Sequence, residues 1–115
     1  NPEFAGAGLT EEQLKEQKTE YIAGRFPLMA NGKSLIMGGD GMIKILAGKE
    51  YGEILGVHMV GPRATDLIAV GALAIGTEST LEEIIQTIHA HPTVGEGVRE
   101  AALAARNRAI HIPNR

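Results

Sequence analysis

The first sixty residues contain short apolar runs separated by polar or glycine-bearing connections, and this pattern predicts strands. Residues 21–26 form one such run, which ends at Pro27. Residues 42–46 and 54–60 form two more, with a polar connection between them that contains glycine. Two apolar runs joined in this way favour an antiparallel hairpin. The pattern therefore predicts at least three strands, two of them paired with each other.

Capping patterns predict where two helices begin. Thr10 and Gln13 fit a capping box, in which the two side chains satisfy free backbone donors at a helix start. We expect a short helix over about residues 10–18, with Leu14 on its apolar face. Thr80 and Glu83 repeat the capping pattern. The helix that they open has one apolar stripe, formed by Leu81, Ile84, Ile85 and Ile88.

Two further helices are predicted in the second half of the chain. Apolar and small residues recur at helical spacing over residues 67–75, and Gly76 is a typical helix end. The small residues predict that another helix approaches closely. Thr93 and Glu96 then open an alanine-rich helix that runs to about residue 108.

The order of these elements, strands first and helices after, indicates an α+β fold. We expect an antiparallel sheet of about four to five strands with helices packed on one face. At 115 residues the chain has the length of one domain, so we expect a single domain over residues 1–115.

Composition limits the classes of function. Apolar residues make up 43% of the chain, aromatic residues 3%, and the net charge is -3. Such a chain can build one core, but it lacks the basic patch and the stacking platform of a nucleic-acid-binding protein. No apolar run reaches the length of a membrane span. Because cysteine is absent, a disulfide framework, a thiolate zinc site and thiol redox chemistry by this chain's own side chains are excluded.

The strongest candidate for chemistry is His91 with Glu96, on either side of a turn at Pro92. Histidine has an ordinary pKa of about 6.5, so it can take and return a proton near neutral pH. A carboxylate on the other ring nitrogen would orient the imidazole and stabilise its charged form. X-Pro bonds are where cis peptides occur, and a cis His91–Pro92 bond would fix the direction of the ring. The chain offers no nucleophile for this base, which indicates half of an active site.

The same residues also have structural interpretations. Glu96 closes a capping box with Thr93, and Pro92 ends a helix, so neither requires a catalytic role. His91 could be a solvated residue between helices. A metal site of His89, His91 and Glu96 is a third alternative, although the spacing assures no third ligand.

Other motifs predict little chemistry. The glycines at 6–8 and 37–41 have partial nucleotide- or phosphate-loop patterns, but turn and strand-end glycines explain them better. His58 alternates with apolar neighbours, which predicts an edge or surface position. Lys44 is predicted to be solvated.

Four short motifs, in order along the chain, carry a family resemblance. They are GLTEEQ at 8–13, GRFP at 24–27, GEILGVH at 52–58 and TIHAHPT at 87–93, followed by Glu96. The resemblance covers nearly all of residues 2–106. This set resembles the C-terminal dimerisation domain of dihydrolipoyl dehydrogenase, a member of the pyridine nucleotide-disulfide oxidoreductase family.

The resemblance implies a homodimer in which each active site is built from both subunits. FAD, NAD and a redox-active cysteine pair would belong to domains that are absent from this chain. His91 would take the thiol proton of dihydrolipoamide, and Glu96 would hold His91. His91 and Pro92, joined by a cis bond, would lie near the partner subunit's flavin. The fragment alone would be inert and would bind no cofactor.

The resemblance also implies partners and a location. The parent enzyme would act on a lipoyl-bearing acyltransferase of a 2-oxo acid dehydrogenase complex. It would be cytoplasmic in a bacterium and would lie in the mitochondrial matrix in a eukaryote. Two alternatives remain: the same domain from another FAD-dependent disulfide reductase, such as a glutathione-reductase-like enzyme, and an interaction module without catalytic function.

Overall fold

The central feature of the fold is an antiparallel sheet. The computed structural model describes residues 3–27, 41–61, 64–86 and 96–108, with the side chains of all but Glu3, Asp66, Leu67 and Glu96. Within these ranges there are four strands in the order β1-β4-β3-β2. They are β1 (Glu3–Gly8), β2 (Tyr21–Pro27), β3 (Met42–Gly48) and β4 (Ile54–Gly61). The predicted hairpin is confirmed, since Ile45 of β3 pairs with Val57 of β4.

Four helices accompany the sheet in the same part of the chain. They are α1 (Glu11–Glu16), α2 (Ala64–Gly76), α3 (Leu81–Gln86) and α4 (Glu96–Ala105). The first predicted capping box is present, because the Thr10 amide donates to Gln13 Oε1 over 2.9 Å and the Gln13 amide donates to Thr10 Oγ1 over 3.2 Å. At the start of α3, the Thr80 amide donates to Glu83 Oε1 over 2.7 Å. The predicted α+β class, an antiparallel sheet with helices, is therefore confirmed.

The strand β1 was not predicted from the sequence. Ala5 packs against the core, and Ala5 and Ala7 pair with Met59 and Val57 of β4. Gly6 stands between them and Gly8 follows, so over residues 5–8 the period-two alternation of a half-buried strand consists of small residues only. A pattern of alanine and glycine is typical of loops as well as strands, which explains the omission.

The core lies between one face of the sheet and the helices α2, α3 and α4. Its largest fully buried strand residues are Phe26, Ile43, Ile45 and Val57. The helices contribute side chains of equal burial or nearly so, namely Leu81, Ile84, Val98, Ala101 and Ala102. Burying one large aliphatic or aromatic side chain stabilises a fold by about 1.5–3 kcal/mol, so this layer provides the main stabilisation.

The short helix α1 lies on the opposite face of the sheet. Its Glu11 side chain bonds Tyr21, Arg25 and Lys44, and these residues alternate along their strands with the core-facing ones. Leu14 of α1 is fully buried, as is Leu46 of β3. The sheet is thus covered on both faces, with the larger helices on one side and α1 on the other.

The helix α4 packs against β2 at Gly24, without a side chain between them. A Cβ at Gly24 would overlap the carbonyl oxygen of Ala101 and the backbone nitrogen of Ala105. This contact brings the helix backbone onto the strand. Because Gly24 sits mid-strand, no loop can adjust around a larger residue there.

The helix α2 approaches β4 in a similar way at Gly71. A Cβ at Gly71 would lie 2.7 Å from Cβ of Val57. The small residues of this helix had predicted close approach by another helix. At Gly71 the structure corrects that prediction, because the close neighbour is a strand, while Ala72 is exposed.

Three helices end with a residue in the left-handed region that is not glycine. These residues are Lys18, Glu78 and Asn107, with φ values of 59°, 57° and 60°. Each helix closes with a pair of backbone hydrogen bonds typical of the Schellman motif; for α2, the Ser79 amide donates to the Ala74 carbonyl over 2.8 Å. α2 ends at Gly76 as predicted, but the residue that closes it in the left-handed region is Glu78.

Replacing Gly24 by alanine is expected to destabilise the chain. The new methyl group would overlap helix backbone, so α4 would have to move off the sheet, and we expect the free energy of unfolding to fall by about 3 kcal/mol. Urea unfolding followed by circular dichroism measures this change. The matched control is Gly76→Ala, because a Cβ there would meet no atom within 4 Å. Equal stabilities of the two variants would contradict the close approach.

Candidate functional site

The structure describes the two ends of the segment that carries the predicted acid–base site. His89, His91, Pro92 and Thr93 lie outside the described residues. Glu96 is the first residue of α4, and its side chain is not described. The proposed pairing of His91 with Glu96 therefore stays a prediction, as does the alternative metal site with His89. What the structure shows is where the chain leaves α3 and where it enters α4.

The helices α3 and α4 run antiparallel and are joined at both ends. Near the end of α3, the Ile85 carbonyl accepts a hydrogen bond from Arg99 Nε over 2.7 Å. In the first turn of α3, Glu82 lies 3.4 Å from Arg106 Nε and 3.5 Å from Arg108 Nη2, both just beyond α4. The last turn of α3 thus faces the first turns of α4.

The start of α4 is firmly embedded. Val98 is fully buried, and Glu100 is only 3% exposed although it carries a carboxylate. The first turn of a helix presents free backbone N–H groups and the positive end of the helix dipole, which favour an anionic carboxylate. The first position of α4, which Glu96 occupies, therefore favours an ionised carboxylate.

A second polar cluster, which the sequence did not predict, lies on the α1 face of the sheet. Glu11 accepts hydrogen bonds from the Tyr21 hydroxyl at 2.9 Å, Arg25 Nη2 at 2.6 Å and Lys44 Nζ at 2.9 Å. The prediction that Lys44 is solvated was wrong. One signal was available in the sequence. Alternate residues of a strand share one face, so Tyr21 and Arg25 lie on the face opposite the apolar residues of β2.

These contacts change the titration of both acidic groups. The hydrogen bond from Lys44 is the largest cause that lowers the pKa of Glu11 to about 2, and Tyr21 and Arg25 add to it against the opposing effect of burial. Burial and the hydrogen bond to Glu11 raise the pKa of Tyr21. The cluster anchors α1 to β2 and β3 through an ionised carboxylate.

His58 has a structural role in an interior strand. It belongs to β4, which pairs on both sides, so of the predicted edge or surface position the edge was wrong, while the side chain is partly exposed on the surface of the sheet. Its Nε2 lies 2.8 Å from the carbonyl oxygen of Leu9, just before α1. Beside it, an open groove of about 470 Å³ is lined by Phe4, Gly6, Met42 and neighbouring residues.

The glycines that resembled parts of nucleotide-binding motifs have structural explanations where they are described. Gly8 ends β1 with a φ of 77°, and a Cβ there would overlap the carbonyl oxygen of Leu55. A left-handed residue in this position favours glycine. Of the segment 37–41, only Gly41 lies within the described residues, with a φ of 148° at the entry to β3.

The described ranges contain neither a cluster of metal-ligating side chains nor a membrane-spanning helix. No group of three or more histidine, cysteine, aspartate or glutamate side chains there could hold a metal ion. None of the described helices combines the length and the hydropathy needed to cross a membrane.

Solved structures with the same fold include a flavoprotein disulfide reductase. LpdA from Mycobacterium tuberculosis superposes with a TM-score of 0.83 at 26% identity, over 88% of this chain and 22% of that one. The HOCl-induced flavoprotein disulfide reductase RclA from Escherichia coli gives 0.82 at 18% identity, over 86% of this chain and 23% of that one. At this identity the second likeness shows the fold alone.

The chain belongs to the dimerisation domain family of the pyridine nucleotide-disulphide oxidoreductases, whose sequence pattern matches residues 1–102. Its curated relatives include dihydrolipoyl dehydrogenases. The enzyme from Bacillus subtilis is 48% identical over 97% of this chain. The mitochondrial enzyme from Pisum sativum is 46% identical over 97% of this chain. The chain spans 24% and 23% of the length of these two relatives.

The Glu11 cluster predicts a pH-dependent contribution to stability. Because the folded-state pKa is about 2 against an ordinary 4.5, the contribution is complete above about pH 4.5 and is lost as the pH falls towards 2. Solvent screens the partners, since Arg25 is 43% exposed, so we expect on the order of 2 kcal/mol at pH 7.

Unfolding free energies of the chain and of its Glu11→Gln variant, measured from pH 7 to pH 2, test this. The difference between the two should shrink steadily below pH 4.5. Glu12→Gln is the matched control, because Glu12 is an exposed carboxylate in the same helical turn. A difference for Glu11→Gln that does not change with pH would show that folding does not lower the pKa of Glu11.

Proposed function

We propose that this chain is the C-terminal dimerisation domain of a dihydrolipoyl dehydrogenase and supplies an acid–base histidine to the active site of its partner subunit. The observation that carries the proposal is the 46–48% identity to dihydrolipoyl dehydrogenases along 97% of the chain. The reaction is the oxidation of protein-bound dihydrolipoamide with NAD as the final acceptor. The chain by itself is inert and binds no cofactor.

His91 acts on the dihydrolipoamide thiol. Its imidazole takes the thiol proton, and the thiolate then attacks one sulfur of the cysteine disulfide that other parts of the enzyme supply. The released cysteine thiolate takes the proton of the second substrate thiol, whose thiolate then attacks the mixed disulfide, closes the lipoamide disulfide and leaves the cysteine pair reduced by two electrons. A flavin bound in the other domains of the enzyme would supply the two-electron transfer from the cysteine pair to NAD. His91 returns its proton before the next turnover.

Glu96 holds the imidazole. Its carboxylate accepts the N–H of the ring nitrogen that does not face the substrate, which fixes the tautomer and stabilises the charged ring. The support for this role is the position of Glu96 at the first residue of α4, whose backbone is set by the close packing of that helix on β2. His91 and Pro92, joined by a cis bond, lie near the partner subunit's flavin in this proposal.

The outer face of α2 supports dimerisation. Leu73 is 67% exposed and Val70 38% exposed, and Ala69 and Ala72 are exposed beside them. The opposite face of the same helix packs on β1 and β4. A helix that is apolar on both sides has a second buried surface in its functional state. We propose that a second copy of the chain covers this face.

The rest of the parent enzyme completes the proposal. FAD and NAD bind in domains outside residues 1–115. The natural substrate is the lipoyl group of an acyltransferase in a 2-oxo acid dehydrogenase complex. The parent is cytoplasmic in a bacterium and lies in the mitochondrial matrix in a eukaryote.

Other disulfide reductases share the fold, so a different substrate is the main alternative. A NAD-dependent persulfide reductase from A. fulgidus superposes at 21% identity, which shows the fold alone. The sequence relatives at 45–48% identity favour dihydrolipoamide. A non-catalytic interaction module would tolerate any change at His91.

The acid–base role predicts a large loss of activity in the full-length enzyme that contains this chain. His91→Gln removes the proton acceptor and should slow dihydrolipoamide oxidation about 100-fold or more, measured as kcat with NAD. His111→Gln is the matched control, as a histidine to which the proposal assigns no role, and should retain kcat within about twofold. A loss below threefold for His91→Gln would refute the catalytic role.

Dimerisation through α2 predicts that a charge on its outer face separates the subunits. In the full-length enzyme, Leu73→Asp should shift sedimentation from dimer towards monomer, because a carboxylate would be buried without a partner. Tyr51→Asp places the same charge at a side chain of similar exposure, 72%, in the β3–β4 connection. This control should remain dimeric. Sedimentation of both variants as dimers would place the subunit interface elsewhere.

A further inference from the structure

Arg99 links the two helices that flank residues 87–95. Its Nε donates to the Ile85 carbonyl oxygen over 2.7 Å in a partly buried position. Ile85 is the second-last residue of α3, and Arg99 is the fourth residue of α4. This hydrogen bond ties the place where the chain leaves α3 to the place where it enters α4.

The chemistry of this contact favours a strong bond. The Ile85 carbonyl is one of the last four in its helix, and such carbonyls have no partner within the helix. Arg99 supplies an ionised donor, and hydrogen bonds from ionised donors are shorter and stronger than neutral ones. The positive guanidinium also suits the negative end of a helix. A helix of six residues has few other means to keep its last turn closed.

The other end of the helix pair has a different link. There Glu82 attracts Arg106 and Arg108 at 3.4 and 3.5 Å, and Arg108 is 54% exposed. Both links hold α3 against α4, but only the Arg99 link borders residues 87–95. The two ends of the pair therefore allow the effect on this segment to be separated from the general effect on stability.

We propose that Arg99 is a positioning residue for His91: by fixing the separation of Ile85 and α4, it limits the range of positions that the intervening residues can take. This inference rests on the proposed acid–base function of His91. An acid–base group contributes fully only when it is held at hydrogen-bond distance from the atom it serves. Arg99 itself touches neither substrate nor cofactor.

The test compares Arg99→Met, Arg99→Lys and Arg108→Met in the full-length enzyme. Hydrogen exchange with mass spectrometry reports on peptides that cover residues 87–95, and steady-state kinetics with dihydrolipoamide gives kcat and KM across pH. Arg99→Met should raise exchange in this segment about tenfold and lower kcat about fivefold with KM nearly unchanged. Arg99→Lys should recover part of both. Arg108→Met should leave both within about twofold.

The outcomes separate the two proposals. Equal exchange in Arg99→Met and Arg108→Met would overturn the link whatever the role of His91. Faster exchange with unchanged kcat, while His91→Gln is inactive, would overturn the positioning role alone. Full activity of His91→Gln would overturn the acid–base function, and with it the positioning of His91 for that function.

Discussion

The direct contact of α4 with β2 at Gly24 is the constraint on which the rest of the structure depends. A side chain at this position would overlap the helix backbone, so the close contact fixes the distance between α4 and the sheet. That distance brings Val98, Ala101 and Ala102 into the core. It also sets where α4 begins, and therefore where Glu96 stands. α3 follows, because it is joined to α4 at Ile85 and at Glu82.

The two faces of the sheet are stabilised by different physical effects. On the side of α2, α3 and α4, close-packed aliphatic side chains provide dispersion and hydrophobic stabilisation that depend little on pH. On the side of α1, one carboxylate with three donors holds a helix of only six residues. So short a helix has little intrinsic stability and depends on such contacts. Acid should therefore loosen α1 before it affects the main core.

Much of the fold could be predicted because local signals agree with the final structure. The Thr10 and Gln13 capping pair, the paired runs of β3 and β4 and the helical spacing in α2 are each encoded within a few residues. The failures at Lys44 and His58 have a common cause, which is dependence on residues distant in sequence. Lys44 bonds Glu11 across 33 residues and His58 bonds Leu9 across 49, and neither partner can be inferred from neighbours along the chain.

The candidate site could be predicted only in part for a related reason. Its histidine and proline form a recognisable motif. The role of a base, however, can be inferred only when the group that it deprotonates is known, and this chain contains no cysteine thiol. The link between Arg99 and Ile85 was not predictable at all, since it depends on how two helices lie together. The helix ends were similarly obscure: Glu78 closes α2 in a conformation that sequence patterns assign to glycine.

The contact of Gly71 with Val57 has a consequence for assembly. It locks the rotation of α2 about its own axis, so the direction in which Leu73 projects is determined within one subunit. A partner would then meet a surface that is already rigid, and association would require little additional ordering of the helix. Preorganisation of this kind reduces the entropic cost of binding. The two subunits would then associate through preformed surfaces, because the contact of Gly71 with Val57 that orients α2 lies inside each subunit.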